Sequence, residues 1–184
     1  MKFQISTGLL LAYLLLVVST SLEASQEVDE YKLKAALVLN FARFASWPDD
    51  TFVDAKASLH LCVLGDETLH QTFEVLSKKK IAQHPVTVTV ASPLKEVASC
   101  HVIFVTGLGR EQLSRIYAAI ADKPVLMIGE MPGFIDIGGM INLFNESGRL
   151  KFQVSIKNTQ HAGIKLSSRL LKLAHSIEGS KTRP

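Results

Sequence analysis

Apolar residues along this chain fall into two rhythms that alternate. Pro85 to Ala91 sets Val86, Val88 and Val90 against Thr87 and Thr89, the period of a half-buried strand. Leu59 to Leu64, His101 to Val105 and Val125 to Ile128 are short apolar runs. Runs of this kind suit central strands covered on both faces. Between them the spacing changes to three and four residues. Glu27 to Ala45 places Leu33, Ala36, Leu37, Asn40, Phe41 and Phe44 on one helical stripe, with Lys32, Lys34 and Arg43 mostly off it. Trp47-Pro48 ends that helix, because the residue before proline resists the helical region. Further helices are predicted over Glu67 to Ser77, Pro93 to Ser99 and Arg110 to Ala121, the last with Leu113, Ile116, Tyr117 and Ile120 on one side.

Strands alternating with helices at this pace predict an α/β fold: a single domain with a mostly parallel sheet flanked by helices. The rhythm then shifts. Met140 to Asn145 and Arg149 to Ile156 read as two strands joined through Glu146-Ser147-Gly148, a hairpin. A turn near Asn158 to Gly163 leads to a closing helix over Lys165 to Ile177, with Leu166, Leu170, Leu173, Ala174 and Ile177 apolar. The predicted architecture therefore ends in a C-terminal β-hairpin and helix. No internal repeat or linker interrupts it.

The amino end adds a destination. Lys2 precedes an apolar run from Leu9 to Val18, and Ala24 and Ser25 offer small residues for cleavage. The run is about half the length of a bilayer span, so residues 1–24 are expected to be a removable signal peptide and 25–184 the exported domain. Loss of Lys2 and Glu23 leaves the formal net charge at +3. That charge is mild and scattered apart from Lys78-Lys79-Lys80, which suits a solvated helix end, and no nucleic-acid partner is expected.

Candidate chemistry is sparse. Cys62 and Cys100 are the only cysteines, and an even count in an oxidising compartment favours a disulfide. Free thiols, or a zinc site shared with His60 and His101, are the alternatives, though no Cys-x-x-Cys knuckle is present. Gly107-Leu108-Gly109-Arg110 stands where a dinucleotide loop would, but Gln112 replaces the third glycine and a tight strand-to-helix turn suffices. His70, His84, His161 and His175 are isolated along the sequence. Asp66 and Glu67 are placed to begin a helix. Ser167 and Ser168 likewise suit a helix start, and no nucleophile elbow surrounds any serine. Asn145-Glu146-Ser147 matches the short glycosylation sequon. No catalytic group, metal site or cofactor is expected. Met131-Pro132-Gly133-Phe134 differs in kind, since it follows a strand at the sheet edge where open α/β folds bind ligands. Phe134 there is either tucked back or displayed as an anchor, with Arg169 as a companion.

The order and spacing of several motifs carry a resemblance. They are Tyr31-x-x-Lys34-Ala35-Ala36, Asn40-Phe41, Phe44, Trp47-Pro48, Leu61-Cys62-Val63-Leu64-Gly65-Asp66 and Cys100-His101-Val102-Ile103-Phe104-Val105. Pro132-Gly133-Phe134, Gly138-Gly139-Met140-Ile141, Gly148-Arg149-x-x-Phe152 and Ser167-Ser168-Arg169-Leu170-Leu171 follow. Together they resemble the YfiR-like family of small periplasmic proteins over nearly all of residues 25–184. The resemblance implies regulation rather than catalysis. The family's namesake represses a membrane diguanylate cyclase by binding its periplasmic domain, lowering cyclic di-GMP and biofilm growth, under redox control. It also implies dimerisation, and a partner surface for which Pro132, Gly133, Phe134 and Arg169 are the candidates. Cys62 and Cys100 match one of the family's cysteine pairs, whereas a second pair in the late hairpin region has no counterpart here. The competing expectation is a periplasmic small-ligand or sensor protein serving a histidine kinase or a transport system, with its pocket near Gly107 and Met131.

Overall fold

The computed structural model describes residues 30–54, 56–65, 69–90 and 96–179. The signal peptide expected over 1–24 lies outside them, as do Asp66 and Glu67. Helix α1 covers residues 30–43 and is followed by the two-residue strand β1 (Ala45–Ser46). Then come β2 (Leu59–Leu64), α2 (Leu69–Glu74), β3 (Lys80–Ile81), β4 (His84–Val90) and β5 (Val102–Val105). Helix α3 (Arg110–Ile120) and β6 (Leu126–Gly129) complete the regular alternation. The late region holds β7 (Ile141–Glu146), β8 (Arg149–Ser155), α4 (Ile156–His161), β9 (Lys165–Leu166), α5 (Ser168–Leu171) and β10 (Ser176–Glu178).

Eight strands form the main sheet in the order β10-β8-β7-β6-β5-β2-β4-β3. Neighbours from β4 through β2, β5 and β6 to β7 run parallel, and β7 with β8 is antiparallel. All four residues of β5 and of β6 are buried, as expected of strands covered on both faces. Helix α1 covers one face, where Val38 and Phe41 meet Leu61, Phe104, Ile128 and Phe152. Helix α3 covers the other, where Leu113 and Ile116 meet Leu64, Ile103 and Met127. Each such large side chain stabilises the fold by about 1.5–3 kcal/mol through burial.

The hairpin forms as the sequence predicts. Glu146 pairs with Arg149 across Ser147-Gly148, whose φ values of 53° and 74° suit a two-residue turn of primed type. The Asn145 side chain accepts a bond from the Gly148 N–H at 3.0 Å and closes it.

Three expectations need correction. The stripe of α1 is rotated from the predicted one: Ala35, Val38, Phe41 and Ala42 are buried, whereas Leu33 is 51% exposed. Lys34, expected off the apolar side, is buried because its ammonium has charged partners there. The closing helix over Lys165 to Ile177 is only the four residues of α5, flanked by β9 and β10. Strand β9 pairs with β1, β10 adds to the free edge of β8, and Leu173 stands 70% exposed. The expected turn near Asn158 to Gly163 is the helix α4, capped by the Ser155 hydroxyl, which accepts from Asn158 N–H.

Candidate functional site

In a parallel sheet the carboxyl ends of the strands gather loops on one edge. Here Thr106 follows β5 and Glu130 follows β6, with Tyr31 and Lys34 reaching down from α1. The Thr106 hydroxyl donates to Glu130 Oε1 at 2.5 Å, and the Tyr31 hydroxyl reaches the same oxygen at 3.3 Å. Lys34 Nζ pairs with Glu130 Oε2 and with Glu30 at 2.8 Å, and lies 4.3 Å from the centre of the Tyr31 ring. Burial disfavours the Lys34 ammonium, yet the bonds and charges of Glu130 and Glu30 outweigh it and hold the Lys34 pKa above its ordinary value. Burial, aided by the Glu130 charge, raises the Tyr31 hydroxyl. The network thus clamps α1 to the sheet edge. Glu130→Leu, which leaves Lys34 with one half-exposed carboxylate, is expected to cost about 2 kcal/mol in urea unfolding. Lys34→Met added to it should recover most of that loss; a further loss would contradict the clamp.

Beside the clamp a cleft of about 570 Å³ opens between α1, the loop after β6 and the hairpin. Its walls include Glu130, Pro132, Gly133, Asn142, Phe144 and Gln153. Asn142 is buried and accepts the Met131 N–H through Oδ1 at 3.1 Å, which fixes the start of the loop. The expected pocket near Gly107 and Met131 is a void of only about 10 Å³; the usable space lies on the hairpin side of Met131 instead.

Of the four candidate partner residues, the structure brings together Pro132 and Gly133 on the rim of this cleft. Phe134 is 1% exposed, so its ring packs inward beneath the loop and is not displayed. Arg169 is exposed on α5. Its neighbour Ser167 donates its N–H to the Phe44 carbonyl just past the end of α1, whereas Glu130 meets Lys34 near the start. The ten residue steps from Lys34 to Phe44 rise about 15 Å along the helix axis, so Arg169 stands away from the loop. Ser167 caps α5, accepting from Leu170 N–H.

Cys62 and Cys100 are bonded, with Cα atoms 5.9 Å apart and each residue 3% exposed. Gly107 and Gly109 form a strand-to-helix turn in which Gln112 Oε1 accepts the Gly109 N–H. Among the described residues no group of three His, Cys, Asp or Glu side chains could hold a metal ion.

The opposite, amino edge holds a cluster that sequence spacing did not reveal. Phe52, from the loop after β1, is stacked between His84 at 4.0 Å and His101 at 4.6 Å between ring centres. The His101 ring accepts the His60 N–H through Nδ1 at 3.0 Å, and His84 Nδ1 bonds the Ala57 carbonyl at 2.7 Å. Burial, then the neighbouring His60 and His84, lower the His101 pKa; a bond with the Thr51 backbone raises it by less. Unfolded His101 therefore takes up its proton at a higher pH than folded His101. Stability is full above the ordinary imidazole range and falls as pH drops through it. The urea midpoint should decline between about pH 8 and about pH 5, and His101→Gln should flatten that decline. Identical slopes for both proteins would contradict the assignment.

A small disulfide-bonded α/β domain, with a clamped cleft at the carboxyl edge of its sheet, is the class that fold and site define. Residues 31–175 match the model of the YfiR/HmsC-like family, and the chain belongs to that family of periplasmic regulators. No curated protein matches it. Among solved structures it is similar to the crystal structure of a conserved domain protein from Vibrio cholerae O1 biovar eltor. The identity is 12% and the TM-score 0.48, over 65% of this chain and 55% of that one.

Proposed function

We propose that this protein is exported to the periplasm, where it holds the periplasmic domain of an inner-membrane signalling protein, a diguanylate cyclase, in its inactive state. Membership of a family of periplasmic regulators, matched over residues 31–175, is the observation that carries this reading. The disulfide accords with an oxidising compartment. Repression of this kind needs no chemistry, only a better fit to the inactive than to the active conformation of the partner. A bias of about 5.5 kcal/mol in affinity would move the partner from nearly all active to nearly all inactive. Pro132 and Gly133 are the loop residues we assign to the contact, with Arg169 as a separate point. Phe134 acts beneath the loop, holding its shape. A homodimer would present these surfaces twice.

Deleting the gene should raise cyclic di-GMP and biofilm mass, and export of residues 25–184 from a plasmid should restore both. An unchanged cyclic di-GMP level would sink the cyclase reading. The cleft of about 570 Å³ favours one other reading, a small-ligand or sensor protein for a histidine kinase or a transport system. Native mass spectrometry of the exported protein, with a retained ligand, would speak for it.

A further inference from the structure

We propose that a second cleft, at the amino edge of the sheet, binds an organic ammonium ion between Trp47, Phe52 and the carboxylates of Asp49 and Asp54. This site is separate from the carboxyl-edge cleft and does not rest on the regulatory reading. It encloses about 520 Å³, and Leu59 and Ile81 give it an apolar floor. Trp47 and Phe52 stand nearly at right angles, 73° apart with ring centres at 6.1 Å, as two walls of a corner. Phe52 is held in advance by the stacked rings of His84 and His101, so it closes the corner with its edge and the aromatic contact to a cation is left to Trp47. Little ordering is then left for a ligand to bring about.

The charges select the ligand. Asp49 and Asp54 line the cleft, and no Lys or Arg among the described residues does. A doubly acidic hollow in a chain of net charge +3 is a local reversal of sign that draws cations to it. A bare metal ion is a poor occupant, since no three-ligand group exists among the described residues. An anion would be repelled. An ammonium carrying alkyl or aryl groups satisfies both wall types: its charge meets the carboxylates and the indole, and its body covers the apolar floor. His84 lines the same cleft, His101 lies behind Phe52, and His60 stands against His101 at 5.5 Å.

Trp47 is the only tryptophan, so its emission reports on this cleft alone. The test titrates the exported chain with benzyltrimethylammonium, benzylammonium and benzyl alcohol at about pH 7.5. Expected is a saturable change with at least one ammonium, binding about tenfold or more tighter than the alcohol. Asp49→Asn with Asp54→Asn, both at exposed positions, should cut ammonium affinity about tenfold and leave the alcohol unchanged. Calorimetry on the unaltered chain gives the same comparison if the double variant misfolds. No saturable binding of either ammonium at concentrations on the order of 10 mM, or an alcohol that binds as well, would overturn the proposal.

Discussion

Replacing Cys62 and Cys100 together by serine is expected to lower the free energy of unfolding by about 4 kcal/mol. The bridge closes a segment of sequence separation 38, and in the chain-entropy picture a loop of that length restricts the unfolded chain by about this amount. The native state gains little from the sulfurs beyond packing, so the loss is carried by the unfolded ensemble. Urea unfolding of the oxidised, reduced and double-serine proteins checks it. Reduced and double-serine proteins should agree with each other, and a loss below about 1 kcal/mol would count against the argument. Alkylation of the unreduced protein should find no free thiol. The position of the bridge bears on regulation as well. It joins β2 to the residues just before β5, two adjacent parallel strands at the centre of the sheet, with both cysteines 3% exposed. A reductant reaches it only when the sheet opens. Redox control in this chain, which lacks cysteines in its late hairpin, would therefore act by weakening the whole fold rather than by reshaping one loop.

The central strands and the hairpin were legible because their signals are local. The valine-threonine alternation, the apolar runs and Ser147-Gly148 each need only their own neighbours to state what they form. Failures came where a distant partner decides. Leu166, Leu170 and Ile177 keep helical spacing, but Leu166 is captured by Ala45 through β1 and Ile177 by Val154 through β8. The N–H of His175 donates to Phe152, so the chain is already leaving the helix there. Short apolar segments suit helix or strand equally, and pairing breaks the tie. The site was obscured for a related reason. Lys34 and Glu130 are 96 positions apart, and nothing in either neighbourhood announces the other. His84 looked solitary until the loop carrying Phe52 folded over it. Tyr31 and Lys34 did carry a signal, since both stand among the motif positions of the family resemblance.

Phe134→Ala should cost about 3–5 kcal/mol, the usual range for emptying a buried phenylalanine site. Sequence alone left Phe134 equally suited to a buried staple and a displayed anchor. Two glycines decide it. A Cβ on Gly129 would stand 2.5 Å from the Phe134 ring, and one on Gly139 would stand 2.1 Å from it. The ring fills a slot that exists because both positions lack side chains, and it holds the loop from Met131 to Gly138 against the sheet. The three atoms nearest to a methyl on Gly129 all belong to the Phe134 ring, so Gly129→Ala alone overfills the slot and should cost about 1–3 kcal/mol. With Phe134→Ala in the same chain, that clash disappears and the new methyl occupies part of the vacated space. The double variant should therefore be more stable than the sum of the two losses by about 1 kcal/mol or more. Additive losses would mean that the ring does not occupy the slot, and would return Phe134 to the surface as an anchor. Coupling of the expected sign would mean that the loop presenting Pro132 and Gly133 rests for its stability on Phe134 below.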